Sequence, residues 1–375
     1  MTLPPFKFVK NHSTWTECLA QLRREPRLAI DLEANSLYAY RERVCLIQIS
    51  VTGHDYIIDP VAGFEIEALG ELIADPAVEK IFHAAEYDLI LMKRQYGWTL
   101  KNLFDTMWAT RILGNRRCGL ANLLEGHFDV KQNKRHQKAN WCKRPLSPAM
   151  LAYAQMDTHY LMALADRLAE ELKAAGRLEE AREIFAEQTH VQLPDNGFDP
   201  DGFWSIGAIK KLNGRQRAIV KALYSYRDQQ AKKQDRPPFK VFGDRTLIEL
   251  AETAPSTIND LPDVYGMSNG QIRRYGRNIL QIVREAEKAP VPRRPRANSQ
   301  RQPEAVYIRY EKLHNWRKER AKRRGVESDV IVSRNTLWQL AQQNPQSEQE
   351  LAQIDCLGTW RREAYGEDIL EALNG

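Results

Sequence analysis

Two acidic residues, Asp31 and Glu33, stand at the end of the apolar segment Arg27–Leu32, which is predicted to be a strand. Side chains alternate along a strand, so both carboxylates project from the same face. Two carboxylates held side by side repel each other unless a cation lies between them. Taken alone, such a pair is more often a solvated strand end, because most charged residues lie at the surface.

Three further residues could share this chemistry. Asp88 follows a predicted strand-to-helix junction, where the helix N-terminus alone would also favour an acid. Tyr153 and Asp157 are four positions apart in a segment with helical spacing of apolar residues, so they share one helix face. A buried carboxylate in such a helix needs a partner, although an Asp that faces water beside a core Tyr would give the same pattern.

Together the four carboxylates suit a hard divalent cation such as Mg²⁺, which prefers oxygen ligands. Two such ions about 4 Å apart can hold the attacking water and the leaving oxygen of a phosphodiester. The residue types therefore predict metal-dependent phosphodiester hydrolysis. Tyr153 is a poor free general base, because a phenol has a pKa of about 10, so its expected role is to orient the attacking water.

The segments AIDLEANS, HAAEYDL and YAQMDTHYL resemble the three exonuclease motifs of the DEDD superfamily. The spacing Tyr-x-x-x-Asp places the resemblance in the tyrosine subclass. It implies that two Mg²⁺ or Mn²⁺ ions are bound by Asp31, Glu33, Asp88 and Asp157, while Tyr153 positions the nucleophilic water. The implied reaction is 3′→5′ hydrolysis of RNA to nucleoside 5′-monophosphates. Ala85 departs from the pattern, since this position of the second motif often holds an Asn that is not a metal ligand.

The second half of the chain contains a repeat. Residues 223–280 match the residues 90 positions further on without a gap, through identities such as Leu223/Leu313, Arg227/Arg317, Thr246/Thr336 and Tyr275/Tyr365. The match indicates a duplicated helical domain, because the period is too long for a solenoid unit. Both copies resemble HRDC domains. An exonuclease domain followed by two HRDC domains is similar to the bacterial ribonuclease D family, whose members trim the 3′ ends of precursor tRNA and other small structured RNAs.

The elements that must position the acids alternate between strand and helix. Strands are predicted at Arg27–Leu32, Val44–Val51, His54–Asp59 and Lys80–His83, and helices at Phe64–Ala74 and Tyr87–Tyr96. From Leu103 to Phe185 the pattern is almost entirely helical. This order predicts an α/β domain with a mixed sheet and helices on its faces, followed by all-α domains. The resemblance implies that the first domain is RNase H-like.

Two segments rich in Pro and polar residues suggest domain boundaries, at 192–201 and at 289–303. We therefore expect an exonuclease domain at residues 1–192, a first HRDC-type domain at 203–288, a Pro- and Arg-rich linker at 289–303 and a second HRDC-type domain at 304–375.

Two basic segments could contact RNA phosphates. Segment 131–144 has six Lys or Arg and no acid, and segment 312–324 has seven against one acid. Trp141 and His136 could stack on bases, while a solvated loop with a packed Trp and a solvated amphipathic helix are the alternatives. The predicted RNA-binding residues are Lys131, Lys134, Arg135, Lys138, Trp141, Lys143 and Arg144 in the first segment, and Arg317, Lys318, Arg320, Lys322 and Arg323 in the second.

The formal net charge of +6 is unevenly spread. Residues 1–200 contain 24 Lys and Arg against 27 Asp and Glu, so the basic excess lies in residues 201–375, which suggests a polyanionic partner. The five cysteines form no CxxC pair, and we expect them to be reduced and packed. No apolar run is long enough to span a membrane, and the N-terminus lacks a signal-peptide pattern, so we expect a cytoplasmic protein without a membrane partner.

Two other functions remain open at this stage. A DNA 3′ exonuclease would need the same four acids and Tyr, and a nucleic-acid-binding protein could retain a degenerate exonuclease fold. The order of the domains and the absence of a GxxxxGK[ST] motif favour RNA over DNA. The presence of all five motif residues argues against a protein that only binds.

Overall fold

The computed structural model describes residues 3–295 and 302–374. Within these residues, six strands form one mixed sheet, in the order β1-β4-β3-β2-β5-β6. Strand β2 runs antiparallel to β3 and parallel to β5, so the predicted mixed sheet is confirmed. The strands are β1 (Lys7–Val9), β2 (Arg27–Ala34), β3 (Val44–Val51), β4 (His54–Ile58), β5 (Glu79–Phe82) and β6 (Leu103–Asp105).

In the described part of this domain, eight α-helices accompany the sheet. Every residue of β3 is buried, as expected for a central strand that is covered on both faces. The helices are α1 (His12–Leu22), α2 (Leu69–Ala74), α3 (Glu86–Tyr96), α4 (Thr106–Ile112), α5 (Leu120–Phe128), α6 (Pro148–His159), α7 (Leu161–Ala174) and α8 (Leu178–Gln188).

The structure differs from the prediction in three elements. Strand β6 interrupts the stretch 103–185 that was predicted to be almost entirely helical, and β1 was not predicted. Both have three residues, too few for a period-2 pattern to be visible. Helix α2 begins at Leu69 rather than Phe64.

Contacts divide the chain into two compact units, one of which combines Asn35–Arg43 with Pro194–Gln300. The described residues of this unit form α9 (Gly214–Lys233), α10 (Pro238–Val241), α11 (Asp244–Thr253) and α12 (Asn269–Ala286). The short segment Asn35–Arg43 is attached to these helices through Tyr40. The Tyr40 hydroxyl donates to Asp228 at 2.8 Å, and its backbone N–H donates to Asp235 at 3.0 Å.

The other unit joins the sheet domain to the second helical repeat, which consists of α13 (Glu304–Arg324), α14 (Ser328–Ile331), α15 (Arg334–Gln343), α16 (Glu348–Leu351) and α17 (Thr359–Asn374). Arg227 and Arg317 hold equivalent positions in the two repeats. Each donates to the carbonyl of an equivalent residue, Phe242 at 3.3 Å and Val332 at 3.1 Å. The duplication read from the sequence therefore extends to a buried hydrogen bond.

Buried ion pairs attach the second repeat to α8 of the sheet domain. Arg324 at the end of α13 donates to both carboxylate oxygens of Glu180, at 2.6 and 2.7 Å. Arg361 at the start of α17 donates to Glu187 at 2.7 Å. A Cβ added at Gly358 would lie 2.0 Å from Cδ of Glu183, so glycine leaves room for the Glu183 carboxylate in its present position.

The boundaries proposed at 192, 203, 288 and 304 stay predictions, and residues 296–301 of the expected linker lie outside the described residues. Within the described chain, no helix combines the length and the apolar character that crossing a membrane demands.

The expectation that all five cysteines are reduced is wrong. Cys45 on β3 and Cys142 before α6 form a disulfide across 97 residues, while Cys18, Cys118 and Cys356 are free. Nothing in their spacing reveals the pair, because only the packing of the 131–147 segment on β3 brings them together.

Candidate active site

Strand β2 delivers the first two acids, as its alternation predicts. Asp31 pairs with Gln48 of β3, and Glu33 pairs with Leu46, so both carboxylates lie on the face covered by α6. The register shifts directly after Glu33. This irregularity ends the regular pairing next to the two acids, which is a common position for a bulge beside a functional site.

Helix α6 delivers Tyr153 and Asp157. The helix begins with Ser147, whose side chain accepts the backbone N–H of Met150, and with Pro148 in the first turn, both typical of a helix start. One ligand oxygen from each of Asp31, Glu33 and Asp157 lies within 4.8 Å of the others. The structure therefore brings together three acids from two segments 124 residues apart.

Helix α3 delivers Asp88, which is buried and close enough to Asp31 and Asp157 for their charges to act on it. We call Asp31, Glu33, Asp88 and Asp157 the acidic cluster. Burial, and after it mutual repulsion, raises the pKa of Glu33 to about 10. Burial also raises the pKa of Asp31 to about 7 and that of Asp88 well above its usual range. Burial and repulsion therefore destabilise the ionised carboxylates, and a bound cation would stabilise that ionised form.

Tyr153 lies beside the acidic cluster, with its ring 5.9 Å from Trp141 and 6.1 Å from His136. Burial and the neighbouring carboxylates raise the pKa of its hydroxyl above the ordinary phenol value. The hydroxyl therefore keeps its proton at neutral pH and can act as a hydrogen-bond donor rather than as a base.

Gln132 is a site residue that sequence reasoning missed. It lies in the basic segment, and its side-chain amide donates to Oδ1 of Asp157. No sequence pattern marks it, because the contact joins an irregular segment to α6 across 25 residues. The contact ties the basic segment directly to the acidic cluster.

Asp105 was also missed, although Asp before Thr at a helix start is a recognisable capping signal. Its buried carboxylate accepts the backbone N–H groups of Ala84 and Ala85, at 3.1 and 2.8 Å, and that of Met107 at 2.9 Å. Ala84 has a φ of 62°, an unfavourable angle for a non-glycine residue. Asp105 thus holds the strained turn from which α3 and Asp88 begin.

We expect Asp105→Ala to lower the free energy of unfolding by about 1–3 kcal/mol, because buried N–H groups lose their acceptor. Mn²⁺ affinity should fall roughly tenfold, as is usual when a residue behind a metal ligand is removed. Urea unfolding and a Mn²⁺ titration measure the two effects. Asp105→Asn keeps one acceptor oxygen and should lose less of both; equal losses in the two variants would contradict this role.

The basic segment is only partly available to RNA. Lys131, Lys134, Arg135, Lys138 and Lys143 are exposed, and their phosphate contacts remain predictions. The base-stacking role expected of Trp141 is wrong, because the residue is 1% exposed and packs under Tyr153.

The phosphate-binding role expected of Arg144 is also wrong. Its guanidinium donates to both carboxylate oxygens of Asp59, at 2.5 and 2.7 Å, and to the carbonyl of Cys45 at 2.8 Å. With its donors engaged in this way, Arg144 anchors the basic segment to β3 and to the residue after β4.

One predicted contact on α13 is likewise corrected. Arg317 is buried and donates to the Val332 carbonyl, so its side chain is not available to phosphate. Arg320 pairs with Asp368 at 3.2 Å but stays partly exposed. Together with the exposed Lys318, Lys322 and Arg323, it remains a candidate.

Comparison with known proteins agrees with this geometry. The 3′-5′ exonuclease family matches residues 6–173, and the HRDC domain family matches residues 216–283 and 309–373. A ribonuclease D from Acidiphilium cryptum is 29% identical over 373 residues, which cover 96% of this chain and 92% of the relative.

Two solved structures are similar in fold. The catalytic core of RRP6 from Trypanosoma brucei has a TM-score of 0.67 at 29% identity, over 75% of this chain and 79% of that one. Escherichia coli RNase D, described as an exoribonuclease involved in structured RNA processing, has a TM-score of 0.65 over 99% of both chains. At 22% identity, the second likeness shows the fold alone.

Proposed function

Since the chain belongs to the ribonuclease D family and is a 3′→5′ exoribonuclease, we propose that its acidic cluster hydrolyses RNA with two divalent cations, Mg²⁺ or Mn²⁺. The observation that carries this proposal is the convergence of ligand oxygens from Asp31, Glu33 and Asp157 within 4.8 Å, with Asp88 beside them. The released products would be nucleoside 5′-monophosphates.

The residues present fit such ions. The cluster offers carboxylate oxygens, which are the donors that Mg²⁺ and Mn²⁺ prefer. Gln48 lies across from Asp31, and neither atom of its buried side-chain amide has a hydrogen-bond partner among the described residues. A buried amide without a partner is costly, and a water of a hydrated ion would satisfy it. When bound, the ions would lower the pKa of an attacking water and offset charge on the leaving oxygen.

The side chains of the chain then have separate tasks. The acidic cluster would hold the ions, because its carboxylates converge from a strand and from two helices that pack on the sheet. The protonated hydroxyl of Tyr153 orients the attacking water by hydrogen bonding. Trp141 packs behind the tyrosine ring and restricts its rotation, which keeps the hydroxyl aimed at the cluster.

We expect Tyr153→Phe to lower kcat about 10²-fold, since the loss of one positioned hydrogen-bond donor typically costs two to three orders of magnitude. The ring and its packing on Trp141 are kept, so stability and Mn²⁺ affinity should change little. Single-turnover hydrolysis and a Mn²⁺ titration on the same preparation separate the two quantities. A parallel loss of Mn²⁺ affinity would show that the hydroxyl serves metal binding instead.

The proposed cellular substrates are the 3′ ends of precursor tRNA and other small structured RNAs, in the cytoplasm. The exposed lysines of the basic segment support an RNA strand as the substrate. They belong to the same segment as Gln132, whose side chain contacts Asp157 of the acidic cluster. Exposed cations in a segment that contacts the acidic cluster suit a phosphate backbone approaching that cluster.

Labelled RNA tests this function. A 5′-labelled single-stranded RNA should shorten stepwise with Mg²⁺, stay intact with EDTA, and be protected by a blocked 3′-hydroxyl. The matching DNA should be degraded much more slowly. Equal or faster shortening of DNA would identify a DNA exonuclease, and binding of both nucleic acids without any product would identify a protein that only binds.

A further inference from the structure

A second group of polar side chains lies under α6, on the same face of the sheet as the acidic cluster. Asp55 of β4 pairs with Ser50 of β3, which pairs with Ala29 of β2, and Asp31 follows two residues after Ala29. Directly paired residues share a sheet face, and so do residues two positions apart on one strand. Asp55 is therefore on the face of Asp31 but two strands away, about 10 Å across the sheet at about 4.8 Å per strand. Its carboxylate lies outside the acidic cluster, so any effect on hydrolysis is indirect.

Asp55 connects the sheet to α6 through hydrogen bonds. Its Oδ1 accepts from the Ser50 hydroxyl at 2.6 Å, and its Oδ2 accepts from Nε2 of Gln155 at 2.6 Å and from Nδ1 of His159 at 2.8 Å. The Ser50 hydroxyl is also hydrogen-bonded to that of Thr158, at 2.8 Å. We call these five residues the Asp55 network. Because three of them lie on α6, the network attaches this helix to β3 and β4 at three positions.

The Asp55 network is enclosed and charged, which strengthens its hydrogen bonds. Ser50, Gln155 and Thr158 are each at most 3% exposed, and Asp55 is 5% exposed. Burial by itself would raise the pKa of Asp55, but the hydrogen bonds from His159, Gln155 and Ser50 outweigh it and hold the pKa below its usual value. Asp55 is therefore ionised at neutral pH, when a carboxylate accepts hydrogen bonds and donates none. Hydrogen bonds to a charged acceptor are stronger than those between neutral groups.

Polar contacts, more than apolar packing, determine how α6 is rotated on the sheet. Its four buried residues are Ala154, Gln155, Asp157 and Thr158, so three of the four are polar. Successive helix residues are about 100° apart, so a rotation by one residue would replace Asp157 at the acidic cluster by a neighbour. The contacts of Gln155, Thr158 and His159 with the two strands resist that rotation.

We propose that Asp55 is a positioning residue for hydrolysis, which acts through α6. By fixing the rotation of this helix, the Asp55 network sets where Asp157 enters the acidic cluster and where the Tyr153 hydroxyl points. A displacement of about 1 Å at a reacting group can cost about 10²-fold in rate, so small movements of α6 have large effects. The proposal rests on the proposed function, because it concerns the same site.

The full chain with Asp55→Ala tests this role. We expect kcat on a 5′-labelled RNA to fall about 10- to 100-fold and Mn²⁺ affinity to fall about tenfold, the usual loss when the support of a metal ligand is removed. KM for RNA should stay within about twofold, because a substitution under α6 removes no contact with bound RNA. Hydrogen exchange of the α6 amides should become faster by a larger factor than that of the α1 amides, since α6 loses its attachment locally.

Two further variants separate positioning from general stability. Leu22→Ala empties a buried position on α1, in an apolar core separate from the cluster that contains Ala154 of α6. It should lower the urea midpoint of unfolding but keep wild-type kcat in the folded chain. Gln155→Leu removes one of the hydrogen bonds to Asp55 and should lose part of kcat. Combined with Asp55→Ala it should cost little more than Asp55→Ala alone, since both substitutions break the same contact.

Wild-type kcat and Mn²⁺ affinity in Asp55→Ala would overturn the proposal, and so would an equal loss of kcat in Leu22→Ala. Independent losses of kcat that multiply in the double variant would also overturn it. If Asp55→Ala does not fold, Gln155→Leu is judged by its kcat, KM and α6 exchange in the same way. The wild-type chain is assayed in parallel. A wild-type chain without Mn²⁺ binding or hydrolysis would count against the acidic cluster, and the exchange of the α6 amides would still decide whether Asp55 holds the helix.

Discussion

An Asp31→Asn variant is expected to fold normally and to lose about 10⁴-fold in kcat on RNA. Metal ions contribute several kcal/mol to such a reaction, and about 5 kcal/mol corresponds to four orders of magnitude. Asp31 is the residue chosen because its charge raises the pKa of each of the other three acids, Glu33, Asp88 and Asp157. Single-turnover hydrolysis of a 5′-labelled RNA with excess Mg²⁺ measures it.

The control is Glu170→Gln, which removes an exposed acid on α7 of the same domain. It should keep wild-type kcat. Circular dichroism should show the same helix content for both variants, since Asn is nearly isosteric with Asp and relieves repulsion within the acidic cluster. An Asp31→Asn chain that retains more than a tenth of the wild-type rate would remove Asp31 from the proposed metal site.

The second large effect concerns stability. Arg324→Ala is expected to lower the free energy of unfolding by about 3–5 kcal/mol, because it leaves the charge of Glu180 buried without its partner. Glu180 is 1% exposed, and Arg324 is its bidentate partner from the other domain. Arg324 also donates to the hydroxyl of Tyr365, so the substitution disturbs α17 as well. Urea unfolding followed by tryptophan fluorescence measures the loss.

The same helix supplies the control for this measurement. Arg182 pairs with Glu179 on α8 with both side chains over 60% exposed, so Arg182→Ala should cost less than about 1 kcal/mol. Replacing Arg324 and Glu180 together by Met should recover most of the loss, since a buried ion pair can often be exchanged for apolar side chains. Similar losses from Arg324→Ala and Arg182→Ala would mean that the docked interface does not depend on this pair.

The central strands and the site were readable from the sequence because their signals are local. The segment Val44–Val51 is rich in apolar and β-branched residues and forms β3 with the predicted bounds. Once β2 was predicted, side-chain alternation placed Asp31 and Glu33 on one face of the strand. Once α6 was predicted, the four-residue spacing placed Tyr153 and Asp157 on one face of the helix. The meeting of these elements came from the family resemblance, because no local pattern reports a contact across more than a hundred residues.

The roles of the arginines were not readable in the same way. Arg144, Arg317 and Arg324 stand in basic runs that look alike in sequence, yet each is occupied by a carboxylate or carbonyl contributed by a distant segment. Arginine suits such contacts through its planar, multiply donating group. The lysines predicted to bind RNA in the same runs are exposed, which is why the RNA-binding prediction survives mainly for lysine.

Counting the Mn²⁺ ions bound per chain, by electron paramagnetic resonance, tests the assignment of the acidic cluster most directly. The expected result is two ions per wild-type chain and the loss of at least one from Asp31→Asn, with RNA hydrolysis lost in the same sample. Two ions bound to Asp31→Asn with unchanged affinity, or wild-type hydrolysis of RNA in EDTA with no ion bound, would contradict the assignment.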